Sequence, residues 1–153
     1  MRYTGVGGTD THAVRLMDSY RRWTGKSLLD EANDPDRPFE ALFHAPIVVL
    51  SHGTEADPVL NFGSRKALEL WEMDWDTFTR TPSRLTAEPM EREERARFMQ
   101  AVGERGYVDD YTGVRISSTG KRFYIMQATV WNVTDENGVI HGQAAAFRTH
   151  REV

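Results

Sequence analysis

A chain of 153 residues, 39% of them hydrophobic, has room for one domain with a substantial core, and nothing in its length asks for a second. Its net charge of -4 argues against non-specific nucleic-acid binding, which needs phosphate-neutralising basic surface. With no cysteine it can form no disulfide, thiolate metal site or cysteine nucleophile, and can hold no cofactor through sulfur.

The longest aliphatic run, Ile47 to Leu50, is far short of the roughly 20 residues a bilayer needs. The start of the chain lacks the apolar stretch of a signal peptide, so no membrane and a cytoplasmic location are expected. Residues 1–9 are Gly-rich without periodicity and predict a flexible lead. From Asp10 or Thr11 as N-cap, Ala13, Leu16, Met17, Tyr20 and Trp23 recur at helical spacing, with Gly25 just beyond. Arg15, Asp18, Arg21 and Arg22 lie off that stripe, so the helix should bury one face against the domain or a second subunit. Leu16, Met17, Tyr20 and Trp23 are the residues through which a homodimer would form.

Residues 26–44, with Pro35, Pro38, Asp30, Glu31, Asp34 and Asp36, read as a linker around a short helical turn. Residues 46–51 and 58–62 read as two strands. Ser64 can cap a helix running to about Trp71, and Asp74 opens a short turn presenting Trp75 and Phe78. A loop over 80–89 leads to a highly charged helix from Glu91 to about Gly103. Its apolar stripe is short, Phe98, Met99 and Val102, and Arg95 intrudes on the same face one turn earlier. Val108 to Arg148 then gives three antiparallel strands with hairpin turns at Thr119-Gly120 and Asn137-Gly138. Alternation places Val114, Ile116 and Ser118 on one face, and Phe123, Ile125, Gln127, Thr129 and Trp131 together on a face of the next strand.

Helix, two strands, several short helices and three strands is an order similar to that of the PAS fold. The stretch Val59-Leu-Asn-Phe-Gly-Ser-Arg-Lys-Ala-Leu-Glu-Leu70 looks like that family's strand-to-helix junction, with Ser64 where Asn is frequent. Gly113 to Phe147, with Gly120-Lys-Arg-Phe and Asp135-Glu-Asn-Gly138 leading two strands, looks like its C-terminal sheet. More narrowly, Leu50-Ser-His-Gly-Thr-Glu-Ala-Asp-Pro58, Leu68-Glu-Leu-Trp-Glu-Met-Asp-Trp-Asp-Thr-Phe78, Pro82-Ser-Arg-Leu85 and Arg115-Ile-Ser-Ser118 resemble the MEKHLA domain, a PAS-like module. The Met-Glu-Lys-His-Leu-Ala string that names the family is absent. The resemblance implies an α+β fold: a five-stranded antiparallel sheet with short helices on one face and the N-terminal helix flanking the other. Residues 1–40 would be lead, flanking helix and linker, and 41–150 the PAS-like domain.

No catalytic motif stands out. Gly25-Lys26-Ser27 fails as a phosphate loop because Tyr20 occupies the required glycine position, and Gly5-Val-Gly7 fails as a dinucleotide fingerprint because Asp10 stands at the third. His52 with Glu55 and Asp57 could form an acid-base or metal cluster, but a solvent-facing turn is the commoner explanation, as it is for Asp109-Asp110. No catalytic residue or metal ligand is assigned.

The aromatic and methionine set, which includes Trp71, Trp75, Met90, Phe98, Met99, Met126 and Trp131, exceeds what the short helices need, and part of it should line the space between helices and sheet. In PAS-like modules a ligand, where there is one, occupies that space. Trp71, Trp75, Met99 and Met126 are the apolar candidates. Arg84, Arg115, Gln127 and Gln143 are the polar ones, since such groups need partners if buried. The cofactor is unknown. The resemblance with no cysteine excludes a flavin adduct or a thioester chromophore, and helix 91–103 has no histidine for haem; non-covalent flavin stays open. The reading is a sensory or interaction module binding a small ligand or dimerising. The alternatives are a small α+β enzyme using His52, Asp57 and Arg84, or a ligand-free partner-binding domain.

Overall fold

The computed structural model describes residues 3–29 and 36–153, except for the side chains of 89–91. Asp30, Glu31, Asp34 and Pro35 of the expected linker, and the side chains of Met90 and Glu91, lie outside the described residues.

The Thr9 hydroxyl accepts the His12 main-chain N–H at 3.1 Å and opens α1 (Asp10–Thr24), which Gly25 closes in the left-handed region at φ 74. The helix buries Ala13 and Leu16 completely and packs Met17, Tyr20 and Trp23 against the same core. The Asp10 carboxylate accepts the Phe39 N–H at 2.9 Å at the start of α2 (Pro38–Phe43), where Pro38 costs no hydrogen bond. This helix is more than the turn expected in a linker, because it buries Phe39, Leu42 and Phe43 beside α1.

Residues 3–8 are also docked rather than loose. The Trp75 indole donates to the Thr4 carbonyl at 3.0 Å, and the Tyr3 ring lies 4.7 Å from Phe43 and 5.2 Å from Phe39. A Cβ on Gly7 would sit 1.5 Å from the Asn61 carbonyl oxygen, so only glycine lets this segment lie against the neighbouring strand.

β1 (Val48–His52) and β2 (Leu60–Gly63) lead into α3 (Arg65–Trp71) and α4 (Trp75–Phe78). Ser64 and Asp74 cap these helices, accepting from Ala67 N and Thr77 N as the sequence predicts. After α5 (Pro89–Arg105) come β3 (Tyr107–Ile116), β4 (Arg122–Thr134), β5 (Ile140–Phe147) and β6 (Thr149–Glu152). The antiparallel order is β2-β1-β5-β4-β3, and β6 pairs with β4. The sheet therefore has six strands rather than five. The sixth is the outer half of the fifth: Thr129 pairs with Ala146 and Met126 with Thr149 in one continuous register, interrupted where Gln127 and Arg148 stand.

That interruption corrects the expected face of β4. Gln127 is exposed and left-handed, at φ 52. Phe123 and Ile125 precede it on the α3 side; Ala128 then takes that side, while Trp131 and Val133 turn to α1. An inserted residue inverts the phase of everything after it. Two apolar cores result. One holds α1, α2, Val49, Trp131 and Val133; the other holds α3, Val48, Phe123 and Phe147 on the opposite face. No helix among the described residues is long and apolar enough to cross a membrane.

Candidate ligand cavity

On the second face, α5 and the Ser83–Thr86 3-10 turn lie over the middle of the sheet and enclose a cavity of about 30 Å³, room for roughly two water-sized groups. The floor is strand: His52 from β1, Tyr111 and Arg115 from β3, Ile125 and Val130 from β4, Gln143 and Phe147 from β5. Trp71 closes one side, and Arg95 and Met99 of α5 close the roof.

The polar walls are mostly donors. Arg115 is 5% exposed; it donates to the Val114 carbonyl at 2.7 Å and to the Tyr111 hydroxyl at 3.2 Å, with its guanidinium 5.5 Å from the Tyr111 ring centre. Arg95, half-buried, donates to the Ser83 hydroxyl. Burial, and then the neighbouring charge of Arg115, push Arg95 down to about 10, so Arg95 remains cationic at neutral pH. Burial also lowers the His52 pKa; the hydrogen bond of its Nδ1 with the Gly53 carbonyl at 2.9 Å opposes this, while the charge of Arg95 adds to it. Gln143 donates to the Met99 carbonyl at 3.0 Å and to Asn132 Oδ1 at 3.1 Å, tying the roof to the floor. Among the described residues the Trp71 indole N–H, fully buried, has no hydrogen-bond partner.

Of the eight expected pocket residues, Trp71, Met99, Arg115 and Gln143 meet at this cavity. Trp75 belongs to the other core, edge-on to Phe39 and Phe62. Met126 pairs with Thr149 outside the cavity, and Gln127 faces solvent at the strand break. Arg84 sits on the surface, ion-paired with Asp57 at 3.2 Å. His52, Asp57 and Arg84 therefore do not converge as an acid-base set. Among the described residues no group of carboxylates and histidines could hold a metal ion. Arg95 and Tyr111 were not anticipated. The signal for Arg95 was its place on an otherwise apolar helix stripe; Tyr111 carries no local signal beyond strand alternation.

The expected dimer residues pack against the core of their own chain. Tyr20 packs edge-on to Trp131 at 5.0 Å, and the Trp23 indole donates to the Asn132 carbonyl at 2.9 Å. Leu16 is fully buried, while Met17, Tyr20 and Trp23 keep part of their surface exposed.

The family model of the MEKHLA domain matches residues 10–151, from the first residue of α1 into β6. The chain belongs to the MEKHLA domain family. Solved structures agree on the fold of this MEKHLA domain. It is similar to a PAS domain from Colwellia psychrerythraea, with TM-score 0.61 and 12% identity over 74% of this chain and 92% of that one. It is similar to a light-oxygen-voltage domain studied with a flavin analogue, with TM-score 0.54 and 16% identity over 70% and 76%. An RNA-binding light-oxygen-voltage receptor matches with TM-score 0.61 and 15% identity over 79% of this chain but 34% of that one. No curated protein matches significantly.

The residues of this MEKHLA domain do not fit a flavin. There is no cysteine for an adduct, and a cavity of about 30 Å³ is about a tenth of the smallest pockets that take drug-sized ligands, roughly 300 Å³.

Proposed function

We propose that this MEKHLA domain is a sensory module in which a small ligand entering the cavity under α5 changes how that helix packs. The observation that carries the reading is that Trp71, a residue of the cavity wall, has a buried N–H with no partner among the described residues. Nearly all buried donors in folded proteins are satisfied, so such an orphan marks where an acceptor belongs.

The lever is α5. Along its described side chains only Val102 is fully buried, so apolar packing holds it weakly. Its remaining ties are the Phe98 ring against Tyr111 at 4.0 Å and a polar set: Arg92 to the Ala87 carbonyl, Arg95 to Ser83, Gln143 to the Met99 carbonyl, and the Asn132 amide to the Val102 and Gly103 carbonyls at 3.3 and 3.4 Å. A ligand touching Arg95 and Met99 above and Arg115 and Trp71 below binds better with α5 seated than displaced, and that difference in affinity is what shifts the population. Asn132 extends the link to α1 through Trp23.

Native mass spectrometry of the purified chain, compared with its denatured mass, tests this directly. A small excess mass lost on denaturation is expected, and it should disappear when Ala145 in the cavity wall is replaced by Leu. A native mass equal to that of the chain alone, with no stabilisation across a small-molecule thermal-shift screen, would overturn the reading.

A further inference from the structure

Resting on the ligand-binding reading above, we infer that the ligand of this cavity is a short-chain carboxylate, its anionic head held between the guanidinium groups of Arg95 and Arg115.

The charge balance of the cavity points there. Two guanidinium groups line it, close enough for each to feel the other, and no carboxylate among the described residues pairs with either. The one on Arg115 belongs to a residue 95% buried. Desolvated like charges facing each other are unfavourable unless an opposite charge joins them, and a paired buried cation is far better off than an unpaired one. The hydrogen-bond inventory agrees. A guanidinium offers five N–H donors and no acceptor, yet Arg95 has one partner, the Ser83 hydroxyl, and Arg115 two, Val114 O and the Tyr111 hydroxyl. The Trp71 N–H adds a further unused donor. What completes such a set is an acceptor bearing negative charge, and a guanidinium fork matches the two oxygens of a carboxylate.

Size and wall chemistry narrow the class. With room for roughly two water-sized groups, the cavity limits the ligand to a carboxylate on the shortest of stems. Away from the arginines its walls carry Leu60, Ile125, Val130 and Phe147, which suit a hydrocarbon stem, beside the polar Ser83, Tyr111 and Gln143.

The test uses the full chain in low-salt buffer, titrated separately with sodium propionate, propionamide, sodium chloride and sodium phosphate at matched ionic strength. Calorimetry and the thermal midpoint are the readouts. Propionate should give saturable binding and stabilisation that the other three lack. Its apparent affinity should fall roughly tenfold or more in Arg115→Met, the loss expected for one charged hydrogen-bonding partner. Arg95→Met, at a half-buried helix position, supplies the same reading if Arg115→Met does not fold. Equal responses to propionamide and propionate would overturn the anion assignment while leaving a ligand-binding cavity. Chloride or phosphate as effective as propionate would overturn the carboxylate class. No response to any of the four would overturn the inference, and the native mass then decides separately whether the cavity takes another ligand.

Discussion

The Asn132 main-chain carbonyl accepts the Trp23 indole N–H of α1 at 2.9 Å, while the Asn132 side-chain amide holds the last turns of α5 on the other face of the sheet. One buried residue thus touches a helix on each face of the sheet. Its neighbour Gln143 donates to Asn132 Oδ1 and to the Met99 carbonyl, so the cavity floor, the roof and the flanking helix share one hydrogen-bonded chain.

Asn132→Ala removes the side-chain half of that chain and keeps the main-chain half. It should cost about 1–3 kcal/mol in urea unfolding, because it deprives Gln143 and two helix carbonyls of partners. Amide exchange should accelerate over α5 while α1 stays protected through the retained carbonyl. Unchanged exchange in α5 would mean that the amide does not hold the helix.

The α1 stripe makes a second prediction. Met17 and Tyr20 pack on the core of their own chain, so Met17→Asp with Tyr20→Asp should lower stability by about 3 kcal/mol or more, through burial of unpaired charge. Chromatography and thermal melts on the same sample separate the cases. A dimer that dissociates to a monomer of unaltered stability would show instead that the stripe joins two chains.

A third concerns acid. His12 is 2% exposed, and its Nε2 lies 3.0 Å from the Ser51 hydroxyl, which itself donates to Asn61 Oδ1 at 2.5 Å. The ring must therefore donate from Nε2. Burial, reinforced by the charges of Arg15 and His141, lowers its pKa from 6.5 to about 4. Between those values the unfolded chain binds the proton and the folded chain does not. Stability is thus fully present above pH 6.5 and falls as the pH drops toward 4, by roughly 3 kcal/mol. The lowered pKa of His52 acts in the same direction. Unfolding free energies from pH 7.5 to 4 should show this slope in the wild type and a shallower one in His12→Gln; equal slopes would assign the acid sensitivity elsewhere.

Much of this fold is legible along the chain because its signals are local. Ser64 and Asp74 announce two helix starts, since a short acceptor side chain reaches N–H groups three residues on. Gly120 and Gly138 announce two hairpins, both taking positive φ at their turns. Gln127 shows the limit of such reading. It carries none of glycine's freedom, yet it adopts φ 52, stands exposed itself and reverses the facing of the rest of β4, which takes Trp131 to the α1 face, away from Phe123 and Ile125. The glycines of residues 5–8 suggested looseness, but a glycine also permits close approach, and Gly7 is used for that against Asn61.

By itself, the sequence determined most of the order of helices and strands, the caps of α3 and α4, two hairpin turns and the absence of sulfur chemistry, and it offered as candidates four residues that line the cavity. Only the tertiary structure decided that Arg95 and Arg115, twenty residues apart on a helix and a strand, face the same small volume with Trp71, and that the stripe of α1 is consumed by its own sheet. The division follows from range. Hydrogen bonding and apolar periodicity act within a few residues and leave their mark there, whereas the meeting of two charges depends on how an entire helix lies across a sheet, including the phase of every strand beneath it.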